Sequence, residues 1–422
     1  MKKVAFIRSV DIHQAEPSLS LLLENIKTMK KVNDLKLKLF FSDGIIHDEK
    51  IFPGEVCRFS SDASVDKLVL EIVKWSPDYV ISISIPDNNS FRDSVLKEKL
   101  KKYGIPMLIH PIDSMFILCN KWNTSLWLKS QGFYVPKSIQ VSYEKIANNI
   151  GVDYSEYLNA IYCSLSQMHG PFVVKPLWDS MSCGVQIFDN CSQVVEYIKK
   201  YCKQDLIIEQ HVDGELFSIE VLADENNILV QPLIKKVLLD KKDLMPFNHL
   251  RYGNYHLEDN LYFNLKSNLL RIVKKLRLNG NVEFEMIRKD NKFYIIEINP
   301  RVSGVTNLST AISGINTYSW LLLAALNNKK NFNYKKNISH KIYAEFPITI
   351  NENSVLEKIL NLPFVWSAQE VTYHTNEKQC KVIAMGESLE DIYKKILNID
   401  GVYLSRNIIK EFNYEISLEE EK

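Results

Sequence analysis

The sequence is poor in cysteine and glycine and lacks long apolar runs, which excludes several classes of protein. Its 422 residues include seven cysteines and 14 glycines. The cysteines show no CxxC pair and no Cys/His metal spacing, so we expect reduced thiols and a cytoplasmic location. No apolar run is long enough for a bilayer, and Arg8, Asp11 and His13 interrupt any signal-peptide core. With a net charge of +1 and dispersed basic residues, neither nucleic acid nor a membrane is an expected partner.

The first hundred or so residues alternate strand patterns with helix patterns. This alternation predicts βαβ units and a parallel sheet covered on both faces. The turn after the first strand reads Arg8-Ser9-Val10-Asp11 and lacks GxGxxG, so we expect a scaffold or a cleft wall rather than a dinucleotide site. The predicted strands are 4–7, 35–41, 79–85 and 107–109, and the predicted helices are 18–31, 63–75 and 90–103.

The middle of the chain predicts a mixture of helices and short strands. Gly132 ends a helix over 120–131, and Ser192 is expected to cap a helix that runs to Tyr201. A polar stretch over 235–259 is expected to be a long loop, and long loops in compact domains often act as lids. Further strands are predicted at 171–175, 184–188, 206–212, 215–223 and 228–232, and further helices over 266–278 and after 307. The tail, with a capping pattern at Ser388-x-x-Asp391, predicts a small α+β unit.

The most informative segment is 281–301, NVEFEMIRKDNKFYIIEINPR. Two strand patterns flank a turn near Asn291, which predicts a β-hairpin. Side chains alternate between the two faces of a strand, so the odd-numbered acidic residues share one face. The expected cross-strand pairs are Glu285 with Glu297 and Glu283 with Asn299. The expected core face carries Val282, Phe284, Met286, Tyr294, Ile296 and Ile298.

Directly opposed carboxylates destabilise a hairpin unless a cation lies between them. Carboxylate and amide oxygens suit Mg²⁺ bound to nucleotide phosphates. The alternative is an amphipathic hairpin whose charged face is only solvated, and a one-residue slip of the strands would change the pairing.

Four segments in order resemble the ATP-grasp superfamily, with the resemblance extending over 114–326. They are Asn120-Lys121, Pro171-Phe-Val-Val-Lys175 with the loop after it, Ile207-Ile-Glu-Gln-His-Val-Asp-Gly-Glu215, and Glu285 followed by Glu297-Ile-Asn299-Pro-Arg301. The resemblance implies a fold of mixed α/β and α+β class. Its parts are a Rossmann-like pre-ATP-grasp domain at 1–112, an ATP-grasp domain of two α+β subdomains at 113–330 and a small α+β domain at 331–422.

The resemblance also implies a nucleotide site. Lys121 and Lys175 match the family's two phosphate-binding lysines, and the loop with Ser180, Ser182 and Gly184 would close over the phosphates. Glu209, Gln210, His211 and Val212 match the segment that reads adenine through its backbone. Leu216 stands where the family often has a ribose ligand, and Glu215 is its expected substitute.

The implied metal ligands are Glu285, Glu297 and Asn299, which would hold two Mg²⁺ ions, with Mn²⁺ as a possible substitute. Arg301 matches the arginine near the transferred phosphate, where a forked and permanently charged donor suits an acyl phosphate. Further substrate contacts are expected from Lys235, Arg251, His256 and Gly304.

The implied activity is an ATP-dependent carboxylate–amine ligase that forms an amide through an acyl phosphate, on an amino acid or small peptide. Neither GxSxG nor a Ser/His/Asp order is present to support covalent catalysis. Two alternatives stay open, a bicarbonate-dependent carboxylase and a module that binds ATP without catalysis. The expected partners are small carboxylate and amine substrates, with a homodimer as a further possibility.

Overall fold

The computed structural model describes residues 2–9, 35–42, 52, 54–60, 62–147, 152–179, 182–239, 244–245, 248–254, 260–326, 340–371 and 379–420. Three β-sheets organise them: a five-stranded sheet, a four-stranded sheet and a ten-stranded sheet. This mixture confirms the predicted fold class. Within these residues, no helix combines the length and the hydropathy that a bilayer crossing requires.

The first sheet is parallel throughout, with strand order β3-β2-β1-β4-β5. The central part of β1, Val4–Ile7, is apolar and fully buried, as a strand covered on both faces requires. The predicted helix at 18–31 lies outside the described residues. The elements are β1 Lys2–Ser9, β2 Leu35–Ser42, β3 Glu55–Phe59, α1 Val65–Trp75, β4 Tyr79–Ser82, α2 Asp87–Leu100, a 3₁₀ turn Lys101–Tyr103, β5 Met107–Leu108 and α3 Ile112–Leu118.

The four-stranded sheet is antiparallel, with order β6-β9-β7-β8. The predicted cap at Ser192 is wrong, because Asn190 Oδ1 accepts the Gln193 N–H over 3.1 Å and starts the helix two residues earlier. The elements are α4 Lys121–Ser130, β6 Ser138–Val141, α5 Tyr143–Ala147, α6 Val152–Ser166, β7 Phe172–Pro176, β8 Gln186–Phe188, α7 Cys191–Tyr201 and β9 Leu206–Gln210.

The ten-stranded sheet runs in the order β15-β14-β10-β12-β13-β16-β18-β17, with β11 on β10 and β19 on β16. Its strands are β10 Glu215–Ala223, β11 Ile228–Val230, β12 Ile234–Lys236, β13 Arg251–Gly253, β14 Gly280–Lys289, β15 Lys292–Asn299, β16 Ile342–Ile350, β17 Val365–Val371, β18 Gln379–Gly386 and β19 Val402–Tyr403. Its helices are α8 Asn260–Lys275, α9 Thr306–Ser313, α10 Thr317–Ala325, α11 Asn353–Leu360, α12 Leu389–Leu397 and α13 Arg406–Glu420.

Part of the stretch 235–259 is strand rather than loop, so that prediction was wrong there. Strands β12 and β13 pair with each other, and β13 also pairs with β16. The polar composition concealed two three-residue strands whose pairing is decided by distant neighbours.

The predicted hairpin register is confirmed, since Glu285 pairs with Glu297 and Glu283 with Asn299. The turn is the two-residue Asp290-Asn291, both with positive φ, which matches the right-handed twist of a hairpin. A bulge at Ile296 adds one residue between the turn and the acidic pairs.

The bulge changes which residues on β15 meet the core. Ile295 and Phe293 pack in the hydrophobic core beneath the hairpin. Ile296 lines the cavity on the other face, and Tyr294 is half-buried against Tyr134. The predicted core face was therefore wrong for Tyr294 and Ile296.

Helix α10 places the first sheet against the ten-stranded sheet. Its residues are buried on every side, as a helix between two layers must be. Trp320 and Leu321 share one apolar cluster with Phe6 of β1 and Leu222 of β10. The carboxyl ends of the parallel strands are thereby held near β14 and β15.

Candidate functional site

A cavity of about 310 Å³ lies between the four-stranded sheet and the ten-stranded sheet. Strands β7 and β9 supply one wall and β12, β14 and β15 supply the other, while Tyr414 and Glu415 of helix α13 close one side. Its size is within the usual range for small-molecule sites. Most of the residues predicted for the site line it: Lys121, Lys175, Ser182, Glu209, Gln210, His211, Val212, Glu215, Lys235, Arg251, Glu285 and Glu297.

A lysine neutralises the acidic face of the hairpin. Lys236 Nζ lies 3.1 Å from Glu283 Oε1 and 2.9 Å from Glu285 Oε1. Burial raises the pKa of Glu283, but Lys236 and the hydroxyl of Ser218 outweigh it and lower the pKa to about 2. Burial together with the charges of Glu283 and Glu297 raises the pKa of Glu285. On this face, Glu285 is therefore the carboxylate whose negative charge is less well compensated.

The second acidic strand is held by Lys121. Its Nζ lies 3.1 Å from Glu297 Oε1 and also donates to the carbonyl of Asp179. Burial opposes ionisation of Glu297, yet Lys121 and Lys175 lower its pKa. Lys121 is positioned as the first residue of α4, whose N-cap is Asn120. The helix dipole disfavours a cation at the first residue of a helix. The ion pair with Glu297 offsets this effect for Lys121.

Lys175 ends strand β7 on the cavity floor. Its Nζ lies 2.7 Å from Glu209 Oε2, and both side chains are nearly buried. Burial disfavours its charge, but Glu209 and Glu297 raise its pKa, so the ammonium stays protonated. A buried cation with a single close carboxylate retains N–H groups for an anionic ligand.

The loop after β7 has a backbone conformation at position 184 that requires glycine. Gly184 has φ +72°, and a Cβ there would lie 2.9 Å from Pro176 Cγ. Ser182 also has a positive φ and lines the cavity. Ser180 lies outside the described residues.

The segment after β9 offers one backbone donor to the cavity. The N–H groups of Gln210 and His211 already donate to Lys137 O and Pro171 O, each over 2.8 Å. The Val212 N–H has no acceptor among the described residues. Among Gln210, His211 and Val212, therefore, only Val212 keeps a backbone N–H that is not already hydrogen-bonded within the described part of the chain.

Glu215 is linked to the last helix through Lys235. Lys235 Nζ lies 2.8 Å from Glu215 Oε1 and 2.8 Å from Glu415 Oε2, and Tyr252 donates to the same Glu415 oxygen over 2.5 Å. Burial opposes the charge of Lys235, but its two carboxylates raise its pKa. Lys235 is therefore held between two carboxylates. Of the three charged groups, all of which line the cavity, Glu215 is the most exposed.

Arg301 is held by three acceptors. Its Nε donates to Asp87 Oδ1 over 2.5 Å, Nη1 to Val302 O over 3.2 Å and Nη2 to Asn299 Oδ1 over 3.1 Å. Burial disfavours its charge, but Asp87 and Glu283 raise its pKa. Among the described residues, one N–H on each Nη has no acceptor.

The other residues predicted to touch a substrate are engaged elsewhere. Arg251 Nη1 donates to the carbonyl of Gly304 over 2.9 Å and pairs with Glu345 at 3.2 Å. Lys381 contacts the same two acceptors. These contacts attach the loop after β15, at Gly304, to β16 and β18. His256 lies outside the described residues.

The carboxylates of Glu285 and Glu297 are suitable ligands for a divalent cation, although the described residues do not form a complete metal site. Glu285 and Glu297 lie opposite each other and are both partly open to the cavity. Among the described residues, no three acidic, cysteine or histidine side chains converge on one point. Lys236 and Lys121 now supply the positive charge that oxygen-bound Mg²⁺ would supply.

Two positions that contact predicted site residues were not selected from the sequence: Asp87 and Glu415. Asp87 follows a strand of the parallel sheet, and that position could have marked it, since ligands meet such sheets at the carboxyl ends of their strands. Lys236, predicted as the alternative to Lys235 for a phosphate contact, lies on the opposite face of β12. Glu415 carries no local signal, because an acidic residue on a terminal helix usually faces solvent.

Comparison with known proteins supports the fold described above. Residues 118–305 match the ATP-grasp domain family. The D-alanine–D-alanine ligase of Borreliella burgdorferi is 26% identical over 230 residues, which are 51% of this chain and 61% of that protein. The chain thus spans about three fifths of the length of this curated relative.

Solved structures match nearly the whole chain. The L-amino acid ligase from Bacillus licheniformis superposes with a TM-score of 0.69 at 18% identity and covers 96% of this chain and 98% of that one. The biotin carboxylase–β,γ-ATP complex from Campylobacter jejuni superposes with a TM-score of 0.64 at 13% identity and covers 94% and 92%. Residues 118–305 therefore match the ATP-grasp domain family, and the chain shares the fold of these solved structures over nearly its whole length.

Proposed function

We propose that this protein is an ATP-dependent carboxylate–amine ligase that forms an amide on an amino acid or small peptide. The observation that carries the proposal is that Lys121 and Lys175 line one cavity together with Glu285 and Glu297 of the acidic hairpin. Arg301, outside the cavity lining, is held at the end of the hairpin by Asn299. Catalysis by such a set is positioning plus neutralisation of charge on phosphate, and it needs no protein nucleophile. The D-alanine–D-alanine ligase relative is named for a reaction of this class.

The cavity has a place for each part of ATP. The spare N–H of Val212 suits a ring nitrogen of adenine, and the aliphatic side chains of Leu216, Ile287 and Ile296 line the same cavity. Glu215 is the acceptor for ribose hydroxyls, held in place by Lys235. Lys121 and Lys175, with the loop at Ser182 and Gly184, would bind the phosphates.

Glu285, Glu297 and Asn299 would hold Mg²⁺, as proposed from the register of the hairpin. Bound there, the metal would neutralise phosphate charge and hold the phosphate oxygens in line. Lys121 and Lys236 would exchange their carboxylate contacts for phosphate contacts, because both ammonium groups already lie at the edge of this acidic face. One ion or two, and substitution by Mn²⁺, stay predictions.

The proposed reaction has two steps. A carboxylate oxygen of the first substrate attacks the γ-phosphorus of ATP, the bond to the β,γ-bridging oxygen breaks, and ADP leaves. The amine nitrogen of the second substrate then attacks the acyl carbon, loses a proton, and inorganic phosphate leaves with the carbon–oxygen bond pair. The two spare N–H groups of Arg301 are suited to the negative oxygens of both steps.

The test is release of phosphate from ATP by the purified chain, measured with amino acids singly and in pairs and with bicarbonate in a separate well. We expect release that requires an acid and an amine together, with one new amide mass. Release with bicarbonate alone would replace the ligase with a bicarbonate-dependent carboxylase. ATP binding with silence in every well, including a wider acid panel, would favour a non-catalytic ATP-binding module. A cytoplasmic location and a homodimer stay predictions.

A further inference from the structure

The carboxyl edge of the first sheet holds a polar cluster that the proposed nucleotide site does not use. Ser9 and Ser42 are the last residues of β1 and β2, and both are buried. Arg92, on helix α2, donates from Nη2 to Ser9 Oγ over 2.6 Å. The Ser42 hydroxyl donates to the same Ser9 oxygen over 2.7 Å. These three side chains are called the serine–arginine cluster below.

The cluster has donors to spare. Nε and Nη2 of Arg92 donate to Asp93 Oδ1 over 3.2 Å and 2.8 Å, while its Nη1 has no recorded acceptor in the described part of the chain. Ser9 Oγ accepts two hydrogen bonds, and for its own hydroxyl hydrogen the same residues record no acceptor. The Arg92 side chain is 16% exposed, so an anionic ligand or water can reach its remaining N–H groups.

The guanidinium is held rigidly in this position. Asp93 is fully buried and accepts from the hydroxyls of Ser82 and Ser84 over 2.8 Å and 2.6 Å through its other oxygen. The Arg92 guanidinium also lies 5.6 Å from the ring centre of Phe59. A fork fixed in this way loses little freedom when it binds a carboxylate or a phosphate.

The location is where parallel sheets bind ligands. The strand order reverses at β1, which has β2 on one side and β4 on the other. Ligands of open α/β sheets lie in the crevice outside the carboxyl ends at such a reversal.

The same edge leads directly to Arg301. Ile85 N donates to Ser9 O over 2.8 Å, and Asp87, which holds Arg301, follows two residues later. Two residues span at most about 7 Å. The backbone of Ser9 therefore lies within about 10 Å of the backbone of Asp87, whose carboxylate holds Arg301.

We propose that the serine–arginine cluster binds an anionic group, a carboxylate or a phosphate, on the substrate that reacts beside Arg301. This rests on the proposed ligase function and specifies one substrate of it. Because Ser9 and Asp87 are joined by one hydrogen bond and two residues of chain, we expect the anionic group to lie about two residue lengths from the reacting atom. A dipeptide or an extended amino dicarboxylic acid has this separation.

The direct test is calorimetric titration of the full chain with glutarate and, separately, with inorganic phosphate. The nucleotide analogue AMPPNP and Mg²⁺ are present, so that the nucleotide's own phosphate positions are filled. We expect one of the two probes to bind in the millimolar range, and the tighter probe identifies the anion. The variant Arg92→Gln is expected to weaken that binding at least 10-fold, and Ser9→Ala about 3-fold or more.

The matched control is Arg406→Gln, since Arg406 is exposed at the start of α13. It should leave binding of the probe unchanged, and AMPPNP affinity should be equal in all four proteins. Failure of both probes to bind the wild type would overturn the proposal, and so would equal binding by Arg92→Gln. If Arg92→Gln does not fold, Ser9→Ala decides alone, because it removes one hydroxyl and no charge.

Kinetics provide an independent readout once the substrates are known. Arg92→Gln should raise KM for the anion-bearing substrate at least 10-fold and leave KM for ATP unchanged. It should also discriminate little between that substrate and its neutral amide, whereas the wild type should prefer the anion about 100-fold. A variant that retains the wild-type preference would show a merely structural Arg92. Titration of the probes needs no turnover, so absence of ligase activity would contradict the proposed function and leave this test standing.

Discussion

Asp87, which follows a strand of the first sheet, and Arg301, just after the acidic hairpin, form an ion pair, Oδ1 to Nε, at 2.5 Å across 214 residues of sequence. Both side chains are nearly buried. The pair joins the edge of the first sheet to the end of the hairpin, and it holds the Arg301 guanidinium through Nε.

Replacing Asp87 should therefore impair chemistry more than nucleotide binding. We expect Asp87→Asn to lower kcat about 10-fold to 100-fold, because a misplaced guanidinium loses much of its stabilisation of the transition state. KM for ATP should be unchanged, and steady-state phosphate release measures both. Asp113→Asn is the matched control, since Asp113 and its partner Arg277 are mostly exposed. An unaltered kcat in Asp87→Asn would mean that Arg301 is oriented without Asp87.

The metal assignment is tested by Glu297→Gln, which keeps the shape of the side chain and removes its charge. We expect turnover to fall below about 1% of wild type, since a neutral amide is a poor ligand for a hard divalent cation. The thermal midpoint should be retained. Glu370→Gln on the exposed side of β17 serves as the control. Undiminished phosphate release by Glu297→Gln would exclude Glu297 as a ligand.

The buried pair of Lys175 and Glu209 separates stability from binding. Lys175→Met leaves the Glu209 carboxylate buried and unpaired, and breaking such a pair costs about 3–5 kcal/mol. The double variant with Glu209→Gln should recover most of that loss. ATP affinity, measured by calorimetry, should stay at least 10-fold weaker in both variants. Full recovery of affinity in the double variant would show that Lys175 does not bind phosphate.

A substitution in the turn of the hairpin should increase the stability of the protein. Asn291 has φ 55° as the second turn residue, where glycine is preferred. We expect Asn291→Gly to raise the free energy of unfolding by about 0.5 kcal/mol and Asn291→Val to lower it by about 1–2 kcal/mol. Urea unfolding measures both changes. Asn291→Gly should leave phosphate release unaltered, and reduced activity would indicate that the turn residue does more than set the register.

His110 should make the protein less stable in mild acid. It is buried, with Nε2 2.9 Å from Asn281 O and Nδ1 accepting the Asn279 N–H over 3.0 Å. Burial lowers its pKa from 6.5 to about 4. Between these values the unfolded chain takes up a proton that the native state does not, so stability falls as pH decreases, at about 1.4 kcal/mol per pH unit. Above pH 6.5 this contribution does not change with pH.

The variant His110→Gln keeps one donor and one acceptor but does not titrate. Urea midpoints at pH 6.5 and pH 5 should show wild type losing about 2 kcal/mol more than the variant. Equal losses in the two proteins would mean that His110 is protonated in the native state.

Part of the site was predictable because its signals are local. The alternation of side chains along 281–301 predicts that Glu285 meets Glu297, and the structure has that pairing. The same reasoning misassigned Ile296, since a bulge inserts one residue there and no local sequence signal indicates it. Lys121 and Lys175 were predicted from the resemblance to the ATP-grasp superfamily, and both line the cavity.

The sequence by itself determined the hairpin, its acidic face and the parallel first sheet. Each of these follows from periodicity or turn residues within a few dozen residues. The nucleotide-binding role of the ordered segments follows from their resemblance to the ATP-grasp superfamily and stays a prediction. Only the tertiary structure decided that Asp87 holds Arg301, that Lys236 bridges Glu283 and Glu285, and that Glu415 reaches Lys235. Those contacts join residues far apart in the chain, and their partners depend on how three sheets pack around shared apolar clusters, which no local pattern encodes.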